Sequence, residues 1–354
     1  MKRIRFAVIV ALAVGALALV ACEPERVIIE SGPAGYDGYH VGYSWAGEAG
    51  GTALADANAF IETILKLDED ANILEARMRY FQRVDGFWTT RQAGNALVTV
   101  DFSVTPTAGT LGSDYRPGNS MFSIHTVNRM SLYAVAVDND GTVAVAIVEP
   151  QTRYQFEMRF PPGFDYRAQM SELTIGSGLV VPTVRTAGGA WLAPATWDEI
   201  SDRHLFALGR YSNVLSNTGV FSDISSNSSL RNFLQAMGVE FSGDRPVATS
   251  PKYGYFGIGG WAGNYDAIAR YLIGRNARTV TSLVDWTPDR FRNAINDQNQ
   301  FGIDVPTGAT RTVQDSSDGI SGATVRMSRE STSYQRALVN AGILSESDVI
   351  IGRF

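Results

Sequence analysis

Leu132-Tyr133-Ala134-Val135-Ala136-Val137 runs into Asp138-Asn139-Asp140-Gly141 and out again through Thr142-Val143-Ala144-Val145-Ala146-Ile147-Val148. Both arms are rich in β-branched residues, and the Asp-Gly pair between them supplies the backbone freedom of a tight turn. The stretch predicts a β-hairpin. Residues 154–160 follow as another strand, stopped by Pro161-Pro162. Upstream, residues 61–67 and 73–81 flank the polar turn 68–72, and Leu74, Ala76, Met78 and Tyr80 alternate with Glu75, Arg77 and Arg79. A period of two marks a half-buried strand, so this pair predicts a second hairpin.

Helical patterns are interspersed. Residues 222–237 carry capping Ser, Asn and Asp before Leu230, Phe233, Leu234 and Met237. Trp197-Asp198-Glu199 resembles a helix start, residues 265–272 read as helix, and Tyr334, Leu338 and Ala341 recur at helical spacing before Gly342. Residues 163–189 are rich in Gly and Thr and show no strong period. The expected fold class is therefore α+β, with mixed or antiparallel sheets and flanking helices, in two modules. The expected division is 1–21, a leader; 22–35, a tether; 36–197, an N-terminal α+β module; and 198–354, a C-terminal module. Gly38-Tyr39 with Trp45-Ala46-Gly47 matches Gly254-Tyr255 with Trp261-Ala262-Gly263 at the same spacing, which suggests a degenerate repeat.

The first residues bear on location. Lys2, Arg3 and Arg5 precede an apolar run over 6–20, a signal-peptide pattern too short for a good membrane span. The run ends Leu19-Val20-Ala21-Cys22, which resembles the lipobox of bacterial lipoproteins. That resemblance implies a lipid on Cys22, since a thioether to diacylglycerol needs a thiol, and a body held at a bacterial membrane outside the cytoplasm. Several acyl chains anchor stably where one is marginal. Cys22 is the only cysteine, which excludes an internal disulfide and any cysteine-ligated haem, zinc or iron–sulfur centre. Net charge is −6, and −9 without Lys2, Arg3 and Arg5; with no basic tract, nucleic acid is not expected as a partner.

Asp318-Gly319-Ile320-Ser321-Gly322-Ala323-Thr324 leads into the C-terminal helix. Ser321, Gly322 and Ala323 are small, so a bulky group can come close to the backbone. A phosphate ester needs a hydroxyl such as that of Thr324, and an anion is favoured where a loop enters a helix. The string, with Tyr334-Gln335-Arg336-Ala337-Leu338-Val339-Asn340-Ala341-Gly342, resembles the C-terminal end of the FMN-binding domain family. That family includes the flavin subunits of sodium-pumping quinone reductase and Rnf-type complexes. The resemblance implies FMN joined to Thr324 by a phosphodiester, with Asp318 needed for modification and Ser321, Gly322 and Ala323 around the attachment point. It also implies a flavin transferase that takes FMN from FAD with Mg²⁺. It covers about the last 40 residues, with a vaguer likeness at Asp37-Gly38-Tyr39; Arg326-Met327-Ser328 departs from the family's Thr-Ser after the acceptor.

Rivals are weaker. Asp304-Val305-Pro306-Thr307-Gly308-Ala309-Thr310 also fits the string, but Pro306 disfavours the same loop and no amphipathic helix follows Thr310. Gly257-Ile258-Gly259-Gly260-Trp261-Ala262 fits a dinucleotide fingerprint, with Asp285 at the distance of a ribose acid, but lacks flanking βαβ units. His40, His125 and His204 are scattered, so no metal is expected. No GxSxG elbow or Cys–His pair suggests hydrolysis. The expectation is a membrane-anchored flavoprotein that carries electrons between redox partner proteins or a quinone-linked membrane complex. The alternatives are a flavin-linked reductase with its own substrate site, and a binding lipoprotein with a vestigial motif.

Overall fold

The computed structural model describes residues 35–111, 119–149, 154–185, 194–208, 219–257, 259–284, 320, 323, 327–352 and 354. Its described elements are antiparallel sheets and three helices, an α+β fold.

Four strands form a meander: β1 (Gly38–Trp45), β2 (Ala59–Leu67), β3 (Ile73–Val84) and β4 (Phe87–Thr90). β2 alternates buried and half-buried residues along its whole length, as a strand with one covered face must. The turn between β2 and β3 is held by Asp68, whose carboxylate accepts from the Asn72 backbone N–H at 2.7 Å and the Asn72 side chain at 2.9 Å. The ladder shifts register between Lys66 and Leu67, and here the expected alternation fails: Leu74 is exposed while Met78 and Tyr80 are buried. An extra residue on one strand changes which face its neighbours take.

The second sheet holds five antiparallel strands. β5 (Leu97–Val100) and β6 (Phe122–His125) form a ribbon apart from it; β7 (Leu132–Val137), β8 (Val143–Val148), β9 (Tyr154–Phe160), β10 (Val181–Arg185) and the later β13 (Thr249–Tyr255) pair in the order β10-β9-β8-β7-β13. The 132–148 hairpin is the centre of this sheet. β8 is buried at every position because both faces are covered. Val135, Val143, Val145 and Ile147 face a core with Phe233 and Leu234 of α1 (Leu230–Ala236), which Ser229 caps. Ala134, Ala144 and Ala146 face the ribbon with Phe122, and small side chains there let the ribbon lie close. A two-stranded turn, β11 (Phe241–Ser242) with β12 (Arg245–Pro246), precedes β13.

Two further helices serve the first sheet. α2 (Gly260–Leu272) packs on β3, and α3 (Met327–Asn340) crosses β1 and β2. Ile61, Leu65 and Tyr80 of the strands share one core with Ile268 and Leu338 of the helices. The chain thus leaves the first sheet after β4, builds the five-stranded sheet, and returns. The expected 36–197 and 198–354 division does not separate the cores: one holds both Val135 and Phe256, another both Ile61 and Leu338. The two stretches read as a repeat also differ in setting. Gly38 and Trp45 lie on a single strand, whereas Gly254 lies near the end of a strand and Trp261 in the first turn of a helix. Trp197-Asp198-Glu199 forms a short 3-10 turn.

Candidate functional site

Asp318, Ser321, Gly322 and Thr324 lie outside the described residues, as do Cys22, Thr310 and Asp285. Two motif residues are described: Ile320 and Ala323 are both buried in the core shared by Trp261, Tyr80 and Met327. Met327, three residues after Thr324, is the first residue of α3.

α3 is unusual for a helix. Ser328, Arg329, Glu330, Ser331, Thr332, Ser333 and Gln335 are all buried, alongside the apolar Tyr334 and Leu338. Each buried polar group needs a partner, and most have one from a distant segment. The Ser333 hydroxyl meets the Thr63 hydroxyl at 2.7 Å, and Ser44 donates to the Arg329 carbonyl at 2.7 Å. Thr332 donates to the Ile350 carbonyl at 2.7 Å and accepts from the Gly352 N–H at 2.8 Å. Leu283 N–H donates to the Ser331 hydroxyl at 3.1 Å. Sequence reading showed the apolar stripe of this helix and missed that its polar stripe is buried too.

Beside the start of α3 lies an aromatic cluster that holds two guanidinium groups. Tyr80 of β3 stands 5.4 Å from Trp261 of α2 and 5.3 Å from Phe354, centroid to centroid. The Arg329 guanidinium lies 5.0 Å from the Tyr80 ring and 5.5 Å from the Trp261 ring. Arg91, just after β4, lies 4.3 Å from the Tyr80 ring and 4.9 Å from the Trp261 ring. Such contacts stabilise a cation, more so when water is excluded. Arg329 pairs with Glu330 at 3.1 Å, and the Tyr265 hydroxyl donates to the same carboxylate at 2.9 Å.

Burial pushes the Glu330 carboxyl up against the pull of Arg329. Burial also works against the Arg329 charge, but Glu330 and the neighbouring phenols outweigh it and hold the guanidinium above its ordinary value. Burial, then the Arg329 charge, lower Arg91. Arg91 donates to Gln82 at 2.8 Å, and among the described residues no carboxylate forms an ion pair with it. Among the described residues, Glu330 is the carboxylate that pairs with Arg329, and Arg91 pairs with none. Two buried polar atoms here, the Ser328 hydroxyl and Glu330 Oε2, have no hydrogen-bond partner among the described residues. Arg91, Arg329 and the Ser328 hydroxyl are donors, whereas Glu330 Oε2 is an acceptor.

The glycines at 257, 259 and 260, a weak match to a dinucleotide fingerprint, lie in a tight loop. Gly257, Gly259 and Gly260 take positive φ, and a Cβ on Gly260 would strike Asn128 and the Met130 carbonyl. β13 pairs antiparallel with β7, and among the described residues no parallel βαβ unit surrounds the loop. Of the histidines, His40 meets the Tyr36 carbonyl at 2.8 Å, His125 meets Ser123 at 3.0 Å, and His204 caps a turn by accepting from Phe206 N–H at 3.2 Å. Among the described residues no cluster could hold a metal, and no helix is long and apolar enough to cross a membrane. A cleft of about 560 Å³ lies between the β5–β6 ribbon and the five-stranded sheet, lined by Ser120, Phe122, His125 and Gln155 but by no residue of α2 or α3. No family model, curated protein or solved structure matches the chain.

Proposed function

We propose that the chain is a membrane-anchored flavoprotein, carrying FMN on Thr324 and passing electrons between redox partners outside the cytoplasm. The observation that supports this reading is the string Asp318–Thr324, three residues before α3, whose first turn carries the buried Arg329. FMN supplies one- or two-electron transfer when bound. The chain's own residues attach and surround it. The Thr324 hydroxyl is the ester oxygen, Asp318 serves the modification, and Ser321, Gly322 and Ala323 leave room near the backbone. Arg91 and Arg329 are the cations of the neighbourhood and favour the retained phosphodiester charge. Trp261 and Tyr80 hold those cations in place and exclude water, which strengthens the attraction. Lipidation at Cys22 keeps the body at the membrane, and a flavin transferase is the partner needed for maturation.

Intact mass of the chain expressed with a flavin transferase tests this directly. The native chain should gain the mass of FMN less water, Thr324→Ala should not, and Thr310→Ala should gain it as the native chain does. An adduct that survives Thr324→Ala and vanishes in Thr310→Ala would move the attachment site; no adduct in any chain would end the flavoprotein reading.

A further inference from the structure

The four-stranded sheet has two faces, and α2 and α3 cover only one. Ser44, Ile61 and Tyr80 point into that covered side. Their strand neighbours point the other way and form an aromatic group. Phe60 stacks on Phe81 at 4.8 Å, meets Trp88 edge-on at 5.0 Å and meets Tyr43 edge-on at 6.0 Å. None of these four rings belongs to a hydrophobic core of the described residues. At the tip of the β3–β4 hairpin Phe87 is 77% exposed and Trp88 45%.

The charges on this face are also uneven. Arg77, Arg79 and Arg83 lie on one face of β3, either side of Phe81, all exposed and without an ion pair among the described residues. Lys66 pairs with Glu75 at 3.3 Å, and Glu62 accepts from the Tyr43 hydroxyl at 3.4 Å. A chain of net charge −6 thus concentrates unpaired arginines around exposed aromatic rings on one sheet face.

We propose that this face rests on an anionic phospholipid bilayer, with Arg77, Arg79 and Arg83 over headgroup phosphates and Trp88, the cross-strand partner of Arg83, in the interfacial layer. Arginine forks match phosphate oxygens, and Trp settles at headgroup depth because its ring is apolar and its N–H is polar. The chain outside the described structure favours a bilayer over other occupants. Gly38, the first residue of β1, stands 16 residues after Cys22. An extended chain of that length spans at most about 55 Å. A lipid on Cys22, which belongs to the proposed function, would hold the sheet within reach of the surface. The face would then act as the second membrane signal, fixing the orientation that a lipid anchor alone leaves free.

The test uses the full chain on phosphatidylcholine vesicles with and without phosphatidylglycerol, read by backbone hydrogen exchange over β3 and β4. Exchange there should slow on the anionic vesicles by roughly tenfold or more, since each basic residue at an anionic surface strengthens contact about fivefold. The protection should vanish in Arg77→Gln/Arg79→Gln/Arg83→Gln, whose exposed positions leave the cores intact. It should also vanish in about 0.5 M salt, where screening acts over a few ångströms. Quenching of tryptophan emission by brominated lipid should fall in Trp88→Phe. Equal exchange on both vesicle types overturns the proposal. Protection that follows protein density and yields cross-links between copies makes the face a dimer interface, and protection that needs a second protein makes it a protein-docking site; either overturns it. Intact mass separates the anchor from the face. A chain without acyl groups ends the anchor reading, and the same chain floating with anionic vesicles, lost in the arginine variant, still upholds the face.

Discussion

Glu157 and Glu330 are both fully buried carboxylates, and the fold treats them in opposite ways. Among the described residues Glu157 pairs with no cation, and it is ringed by donors. It accepts from Ser120, from Met121 N–H at 2.8 Å, from Gln155 at 2.6 Å and from Thr183 at 2.7 Å. That ring ties the segment just before β6 to β9 and β10. Burial pushes its carboxyl up, and the hydrogen bonds offset only part of the push. A carboxyl raised in the folded state contributes stability that is fully present below the ordinary carboxylate range and is lost as pH rises through the raised value. The unfolding free energy of the native chain, measured against Glu157→Gln from about pH 4 to about pH 8, should therefore fall relative to the variant as pH rises. A difference that grows with pH would show that the hydrogen bonds dominate. Glu330 instead leans on Arg329 and Tyr265 and keeps one oxygen without a partner among the described residues. Neither carboxylate stood out in the sequence. A glutamate in a half-polar strand or helix reads as solvated unless the segments that bury it are known.

α3 shows what an element can hide. Its helical spacing was legible from Tyr334, Leu338 and Ala341, and Gly342, at φ 73°, closes it as the sequence suggested. Its Ser and Thr residues are short enough for backbones to approach, and β1 approaches at Gly42. A Cβ on Gly42 would run into the Ser333 carbonyl and the Ala337 nitrogen, both backbone atoms that cannot rotate away. Gly42→Ala should cost about 3 kcal/mol, the upper range for overpacking a rigid site. Denaturant melts would register it, and a loss within error of zero would mean that α3 slides freely over the strand. Gly38, where a Cβ would meet nothing but φ is 128°, should lose less on the same change, by backbone strain alone.

Across the whole molecule, the C-terminal helix α3 depends on the N-terminal sheet. Thr63 and Ser333 share a hydrogen bond across 270 residues of chain, and Arg336 donates to the Tyr43 carbonyl across 293. Residues 198–354 alone would leave α3 with a buried polar stripe and no strands against it, and unpaired buried polar groups are costly. Expressed alone, that segment should show no cooperative unfolding transition by calorimetry or denaturant, whereas the full chain should. A cooperative melt of the segment would show that α2 and the C-terminal turns suffice.

The sequence by itself determined the local elements: the 132–148 hairpin, the strand at 154–160, the capped α1, the helix behind the motif and the α+β class. Each rests on periodicity and turn chemistry within a dozen residues. Only the tertiary structure decided the partners of those elements. It interleaved the modules, turned Leu74 outward at a register shift, surrounded α3 and set Arg91 opposite Arg329. These outcomes depend on contacts between segments far apart in the chain, where burial and the pairing of polar groups are settled by neighbours that local pattern does not name.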